Sequence, residues 1–203
     1  MDSYLHSNNY NSQGTVFGLK MELLPGTTVK ADFSGRNIAE SILGPLFIAD
    51  GLVLSQVSQL TGLEPYMVQN WVKRGYVSSP QSKKYSKRQF CRIIIINFLK
   101  DSFKLESIVK LLVYINNNMA DESDDRVDDS FLYACFVEAL SMLTLWDVDE
   151  MNVSAVIETV LSGFESEQVD ARERVEQVLK IMLTAYSASR FKRSAETLLA
   201  EID

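Results

Sequence analysis

The chain has 203 residues, 46% of them hydrophobic, and a formal net charge of −7 at pH 7. This length and apolar content suit one large domain or two small ones with a buried core. They exclude a membrane-embedded class, because no apolar run approaches the roughly 18 residues of a membrane span. The start of the sequence lacks the regions of a signal peptide, and the two cysteines stand in apolar stretches, so we expect a cytoplasmic protein without disulfides or a membrane partner.

Residues 1–35 are rich in Asn, Ser and Gly, which predicts a flexible N-terminal arm, either a free tail or loosely docked. Short helical patterns then follow one another over residues 36–116. The stretch SQVSQLTG predicts a helix that ends at Gly62, and EPYMVQNWVKRG predicts a second with Pro65 at its first position. Two short helices separated by three residues are typical of a helix-turn-helix.

A turn-rich stretch and two further helical patterns complete this first domain. The sequence YVSSPQSKKYS favours a short hairpin or an extended wing. Ser86 and Gln89 have the spacing of a capping box, which predicts a helix from there to about Asp101. The β-branched run at 93–96 favours a strand by propensity alone, but the cap favours a helix. LESIVKLLVYIN has the spacing of an amphipathic helix.

The remainder of the chain is acidic and helical. Residues 117–127 resemble a linker, and helical patterns follow at 128–145, 152–162 and 167–200. We therefore predict an all-α fold, with a winged helix-turn-helix domain at 36–116 and a helical dimerisation or effector region at 128–203.

Charge is distributed unevenly between these parts. Residues 64–110 contain ten basic and three acidic side chains, whereas residues 117–173 contain two basic and fifteen acidic ones. Such a distribution allows the first part to attract a polyanion while the second repels it. Two differently charged solvated faces are the alternative.

The second helix of the pair carries four polar residues at i, i+3, i+4 and i+7, which places them on one face: Tyr66, Gln69, Asn70 and Lys73. Amide side chains pair with adenine edges, and lysine pairs with guanine or phosphate. We interpret the four as candidates for reading DNA bases. An ordinary solvated helix face is the alternative.

The next helix begins with Lys87 and Arg88, where the helix dipole disfavours each cation by about 0.3–1 kcal/mol. A phosphate bound at the helix start would offset that cost. The candidates for phosphate binding are Arg74, Lys83, Lys84, Tyr85, Lys87 and Arg88.

Residues 52 to about 115 resemble the DNA-binding domain of the MerR-type regulators. The landmarks are Gly62, Pro65, Gly75, the Tyr-Ser pair at 85–86 and Phe-Lys-Leu-Glu-Ser-Ile at 103–108. The resemblance implies a helix-turn-helix, a basic wing and two more helices. The same residues resemble more closely a set of uncharacterised bacterial proteins that share a domain of unknown function. MerR-type proteins usually have Arg-Tyr-Tyr where this chain has Gln-Asn-Trp at 69–71, so the target site does not carry over.

The sequence has no constellation for catalysis. Its single histidine, His6, lies in the polar start, and no phosphate-binding glycine loop occurs; we expect no enzyme activity, no cofactor and no metal. Four aromatic residues of the acidic part are candidates for an effector pocket, with plain core as the alternative: Phe131, Tyr133, Phe136 and Trp146. The expected partners are double-stranded DNA, a second copy of the chain, and a small-molecule or protein effector. A non-enzymatic interaction adaptor that reuses the helix-turn-helix scaffold is the alternative function.

Overall fold

A computed structural model describes residues 21–116, 127–143, 148–166 and 170–202. Within these ranges the fold is mostly helical, as predicted. The strands are β1 (Met21–Leu23), β2 (Lys30–Asp32), β3 (Leu52–Val53) and β4 (Lys84–Tyr85). The helices are α1 (Ile38–Leu46), α2 (Leu54–Thr61), α3 (Pro65–Lys73), α4 (Lys87–Leu99), α5 (Leu105–Asn116), α6 (Asp129–Met142), α7 (Glu150–Val160) and α8 (Ala171–Ala200). None of these helices combines the length and the apolar character needed to cross a bilayer.

Helix α4 lies at the centre of the molecule. Every residue from 89 to 99 is buried, and α2, α5, α6 and α8 all pack against it. A helix that is apolar on all sides is stable only when it is covered on all sides, which explains why its isoleucine run shows no amphipathic pattern. The predicted capping box is confirmed: the Gln89 N–H donates to Ser86 Oγ at 3.1 Å, and the Ser86 N–H donates to Gln89 Oε1 at 2.9 Å.

Residues 21–33 correct the prediction of a flexible arm. Strands β1 and β2 form an antiparallel hairpin in which Glu22 pairs with Ala31, and Leu24 is fully buried. Gly26 has a φ of 76°, and a Cβ at this position would lie 2.2 Å from the Ile94 carbonyl oxygen, so only glycine fits. Residues 1–20 of the expected arm lie outside the described residues.

One hydrophobic core runs through both parts of the predicted division. Helix α6 packs on α1 and α4, and a buried ion pair joins α4 to α6. The Arg92 guanidinium donates to Asp129 Oδ2 through Nε and Nη2, both at 2.8 Å. Of the expected linker only Val127 is described; it is buried and exchanges two hydrogen bonds with the Asn116 side chain.

The C-terminal helix α8 has two different halves. Its first part, up to Ser189, packs in the core against α4, α5, α6 and α7. All residues from 191 to 202 are exposed. The helix therefore projects beyond the body of the molecule.

Candidate nucleic-acid interface

Helices α2 and α3 form a compact pair because their turn is tightly specified. Gly62 adopts a left-handed conformation with φ 70°, and its N–H donates to the Ser58 carbonyl at 2.8 Å. Pro65 then occupies the first position of α3, where its missing N–H costs nothing. Val68 and Trp71 are buried, so one side of α3 is fixed against the core.

The opposite side of α3 carries the four predicted base-reading residues: Tyr66, Gln69, Asn70 and Lys73. All four are exposed, and Tyr66 retains 68% of its accessible surface. In the part of the chain that the structure describes, none of their side chains is hydrogen-bonded or ion-paired. We call this set the α3 face. The predicted sharing of one helix face is therefore correct.

A small ribbon stands beside the α3 face. Strand β3 pairs with β4, with Leu52 opposite Tyr85. The ribbon ends in a tight turn over residues 81–84, in which the Lys84 N–H donates to the Gln81 carbonyl at 2.8 Å. Ser82 and Lys83 have φ values of 48° and 64°. This is the pattern of a type I′ turn, which normally selects Asn-Gly, so a serine and a lysine are held here in an unfavourable conformation.

The α3 face and the ribbon meet in a shallow groove of about 420 Å³, which we call the α3–ribbon groove. Seven residues line it: Leu54, Gln69, Val72, Lys73, Pro80, Lys83 and Tyr85. The lining contains two lysines and no carboxylate. Lysines from separate elements thus converge on one concave surface, which favours an anion there.

Two further phosphate candidates, Arg74 and Lys84, do not line this groove. Arg74 is exposed at the end of α3, with its guanidinium 5.3 Å from the centre of the Tyr76 ring. Lys84 is half-buried and donates through Nζ to the Ala49 carbonyl at 3.0 Å. This bond holds the Lys84 side chain along the ribbon.

Of the other three phosphate candidates, Tyr85 is buried, and Lys87 and Arg88 lie close to carboxylates of the same chain. Tyr85 is only 3% exposed, and burial raises the pKa of its phenol. Lys87 forms an ion pair with Glu40 of α1. Arg88 Nε lies 3.9 Å from Asp128 Oδ2 and 3.7 Å from Asp129 Oδ2.

These partners correct the reasoning about the start of α4. The cations in its first turn are compensated by carboxylates of α1 and of the start of α6, so no external phosphate is needed to explain them. Tyr85 serves as the floor of the groove, where it packs beneath the lysines.

The predicted effector pocket is replaced by packed core. Tyr133 and Phe136 are fully buried, and the Tyr133 hydroxyl donates to the Pro25 carbonyl at 2.7 Å. Phe131 stacks on Phe164 with ring centres 5.1 Å apart. Trp146 lies outside the described residues. The three described aromatic side chains thus fill space in the helical packing.

A polar cavity that the sequence reasoning missed lies instead between the β1–β2 hairpin, the end of α4 and α8. Its lining includes Asn97, Glu22 and Arg190. The one signal in the sequence was Asn97, a polar residue that interrupts the apolar run IIIINFL. Nothing local in the sequence connects it with the other two.

Comparisons with known proteins give a family without an assigned role. Residues 48–136 match the family described as "Domain of unknown function (DUF1836)". The chain is 30% identical over 160 residues to "Uncharacterized protein YkrK" of Bacillus subtilis (strain 168), an alignment that covers 73% of this chain and 69% of the relative. No solved structure matches.

The matched region supports the continuity of the core. It begins before α2 and ends within α6, and it thus crosses the segment at 117–127 that the sequence suggested as a boundary. The expected relation to a bacterial family of unknown function is confirmed. The chain belongs to the same family as YkrK, and its residues 48–136 carry the DUF1836 domain.

Proposed function

We propose that this protein is a DNA-binding regulator of transcription, with a winged helix-turn-helix of the MerR-like type. One observation carries the proposal: the α3 face is exposed beside a groove in which Lys73 and Lys83 converge without a carboxylate. A duplex needs such a protruding polar helix next to cations that meet its backbone.

In this proposal α2 and α3 are the helix-turn-helix, and α3 enters the major groove as the recognition helix. Gln69 and Asn70 are positioned for adenine edges, and Lys73 for a guanine or a phosphate. The ribbon is the wing, and Lys83 at its tip contacts the backbone. Arg74 and Lys84 are the remaining phosphate contacts, whereas Lys87 and Arg88 stabilise the fold through their carboxylate partners.

We also propose that the protein acts as a homodimer that pairs through the projecting end of α8. An exposed apolar stripe runs along this end at helical spacing, formed by Phe191, Leu198 and Leu199 and continued by Ile202 just beyond the helix end. From Phe191 to Leu199 the stripe spans about 12 Å at the helical rise of 1.5 Å per residue. This length suits a short helix–helix contact.

The charges at the start of this segment are engaged within the chain, Lys192 with Glu196 and Arg193 with Asp101. The apolar stripe therefore carries the proposed contact. An antiparallel pair of identical helices has the two-fold symmetry of an isologous dimer. A two-fold dimer suits the reading of an inverted repeat.

The DNA-binding proposal is tested by fluorescence anisotropy with a duplex of random sequence over a salt series. Replacement of Lys83 and Lys84 by Ala should weaken binding, and the slope of log K against log salt should fall by about 0.9 for each phosphate that the variant no longer neutralises. The double variant Lys104→Ala, Lys110→Ala, at two exposed positions, removes the same charge elsewhere and should change neither value. Weak retention with no salt dependence contradicts the proposal and favours the adaptor.

The dimer proposal is tested by light scattering at tens of micromolar protein. Leu198→Glu and Ile202→Glu place like charges within the stripe and should yield monomers. Met151 of α7 is equally apolar and 77% exposed, so Met151→Glu is the matched control and should leave the dimer intact. A monomeric wild-type protein contradicts this part of the proposal.

A further inference from the structure

The polar cavity between the β1–β2 hairpin, the end of α4 and α8 has the properties of a ligand site. Its volume is about 510 Å³, within the range of about 300–1,000 Å³ that small-molecule sites occupy. Six of its lining side chains are charged: Glu22, Lys30, Lys100, Asp101, Arg190 and Arg193. None of them belongs to the α3–ribbon groove.

Asn97 supplies a buried acceptor without a partner. It is 8% exposed, and its Nδ2 donates to the Gly26 carbonyl at 2.8 Å and to the Thr61 carbonyl at 3.0 Å. Because both neighbours are acceptors, the amide nitrogen must face them, and this fixes Oδ1 on the other side. Among the described residues none donates to Asn97 Oδ1, and this oxygen has almost no accessible surface. Asn97 therefore fixes the wall of the cavity, where it joins the hairpin to the end of α2.

The charges around Asn97 favour an anion. Four cationic and two carboxylate side chains line the cavity, an excess of two positive charges. Both carboxylates are already engaged: Glu22 Oε1 accepts from Arg190 at 2.9 Å, and Asp101 pairs with Arg193. Lys30 and Lys100 are exposed at the rim, and within the described ranges neither is ion-paired.

The floor of the cavity is shielded from water. Burial raises the pKa of the Glu22 carboxyl, although Arg190 beside it acts in the opposite direction. This shielding applies to the Glu22–Arg190 pair, whereas Lys30 and Lys100 lie in solvent at the rim.

We propose that this cavity binds a small organic dianion, a dicarboxylate or a phosphate monoester. Lys30 and Lys100 attract the anionic groups at the rim.

Two hydrogen bonds connect the walls of the cavity to helix α2. Asn97 holds the carbonyl of Thr61, the last residue of α2. The Thr28 N–H of the hairpin donates to the Leu60 carbonyl at 2.8 Å. A ligand that shifts the hairpin or Asn97 therefore acts on the α2–α3 pair; this consequence rests on the proposed function, whereas ligand binding itself does not.

The test is isothermal calorimetry with L-malate and glycerol 3-phosphate on the full chain, without DNA. Both should bind, and which of them binds more tightly tells a dicarboxylate site from a phosphate site. Lys30→Ala and Lys100→Ala should each weaken binding by about fivefold, the upper range of an exposed ion pair. Lys104 is exposed at the start of α5 and does not line the cavity, so Lys104→Ala is the matched control and should bind as the wild type does.

No binding of either dianion beyond that of glycerol, or binding unchanged in both lysine variants, overturns the site. These results leave the DNA-binding proposal untouched, because no DNA is present.

Discussion

A substitution at Lys83 tests two contributions of the ribbon tip separately, one to the stability of the fold and one to DNA binding. It occupies the second central position of the turn with φ 64°, and its side chain is exposed. A residue with a Cβ costs about 1–2 kcal/mol in the left-handed conformation. Glycine removes this cost but adds about 0.5–1 kcal/mol of conformational freedom in the unfolded chain. Lys83→Gly should therefore raise the free energy of unfolding by about 0.5–1 kcal/mol.

The same substitution should weaken DNA binding. Urea denaturation measures the gain in stability. Fluorescence anisotropy between about 50 and 200 mM salt measures DNA binding, and the loss of one lysine–phosphate interaction should reduce the slope of log K against log salt by about 0.9. Ser82, with φ 48°, is the neighbouring position of the turn. Ser82→Gly relieves a similar strain without removing a charge, so it should stabilise the protein and leave binding unchanged.

Two outcomes would refute this reasoning. A decrease in stability in both glycine variants would mean that the turn is not strained. A gain in stability with an unchanged salt slope in Lys83→Gly would mean that the ribbon tip contacts no phosphate, and the ribbon would then not act as a wing.

Three further predictions concern the fold. Asp129→Asn should lower the free energy of unfolding by about 3–5 kcal/mol in urea denaturation, because it leaves the Arg92 guanidinium buried without its carboxylate; the double variant Arg92→Met, Asp129→Leu should recover most of it. Gly26→Ala should destabilise by more than about 2 kcal/mol, since its Cβ would collide with the Ile94 carbonyl; equal thermal stability would contradict the close approach. Burial raises the pKa of the Cys135 thiol from 9.0 to about 12, so its stabilising contribution is complete below pH 9 and is lost as the pH rises towards 12. Between pH 9 and 10 the free energy of unfolding should fall less steeply in Cys135→Ala than in the wild type, by up to about 1.4 kcal/mol per pH unit, and equal slopes would argue against a buried thiol.

Features set by neighbouring residues were predictable from the sequence. The capping box of Ser86 and Gln89 and the turn at Gly62 depend on contacts within four residues, and the exposure of the α3 face follows from helical spacing. These local rules place most of the helix boundaries within a few residues.

Features set by distant contacts were not predictable. The β1–β2 hairpin has polar, turn-rich flanks, and what orders it is contact with Ile94 and the bond from Tyr133, 108 residues after Pro25. Lys87 finds Glu40 at a separation of 47 residues. Excess charge in a sequence segment therefore overstated the positive surface, because the tertiary fold neutralises part of it.

The candidate site divides in the same way. The composition of the α3 face could be read from the sequence, but the convergence of Lys73 with Lys83 needed the ribbon to fold back beside α3. The polar cavity was invisible because Glu22, Asn97 and Arg190 come from three separate parts of the chain. Only the fold brings them together.

The most direct measurement is selection of bound duplexes from a random pool by the purified full-length chain. We expect repeated rounds to enrich one sequence, arranged as an inverted repeat whose half-sites lie about 10–10.5 base pairs apart or a multiple of that distance. The Gln69→Ala, Asn70→Ala variant should lose this enrichment while it retains salt-dependent binding. A bound pool with the same composition as the starting pool would contradict the proposal that this protein reads DNA.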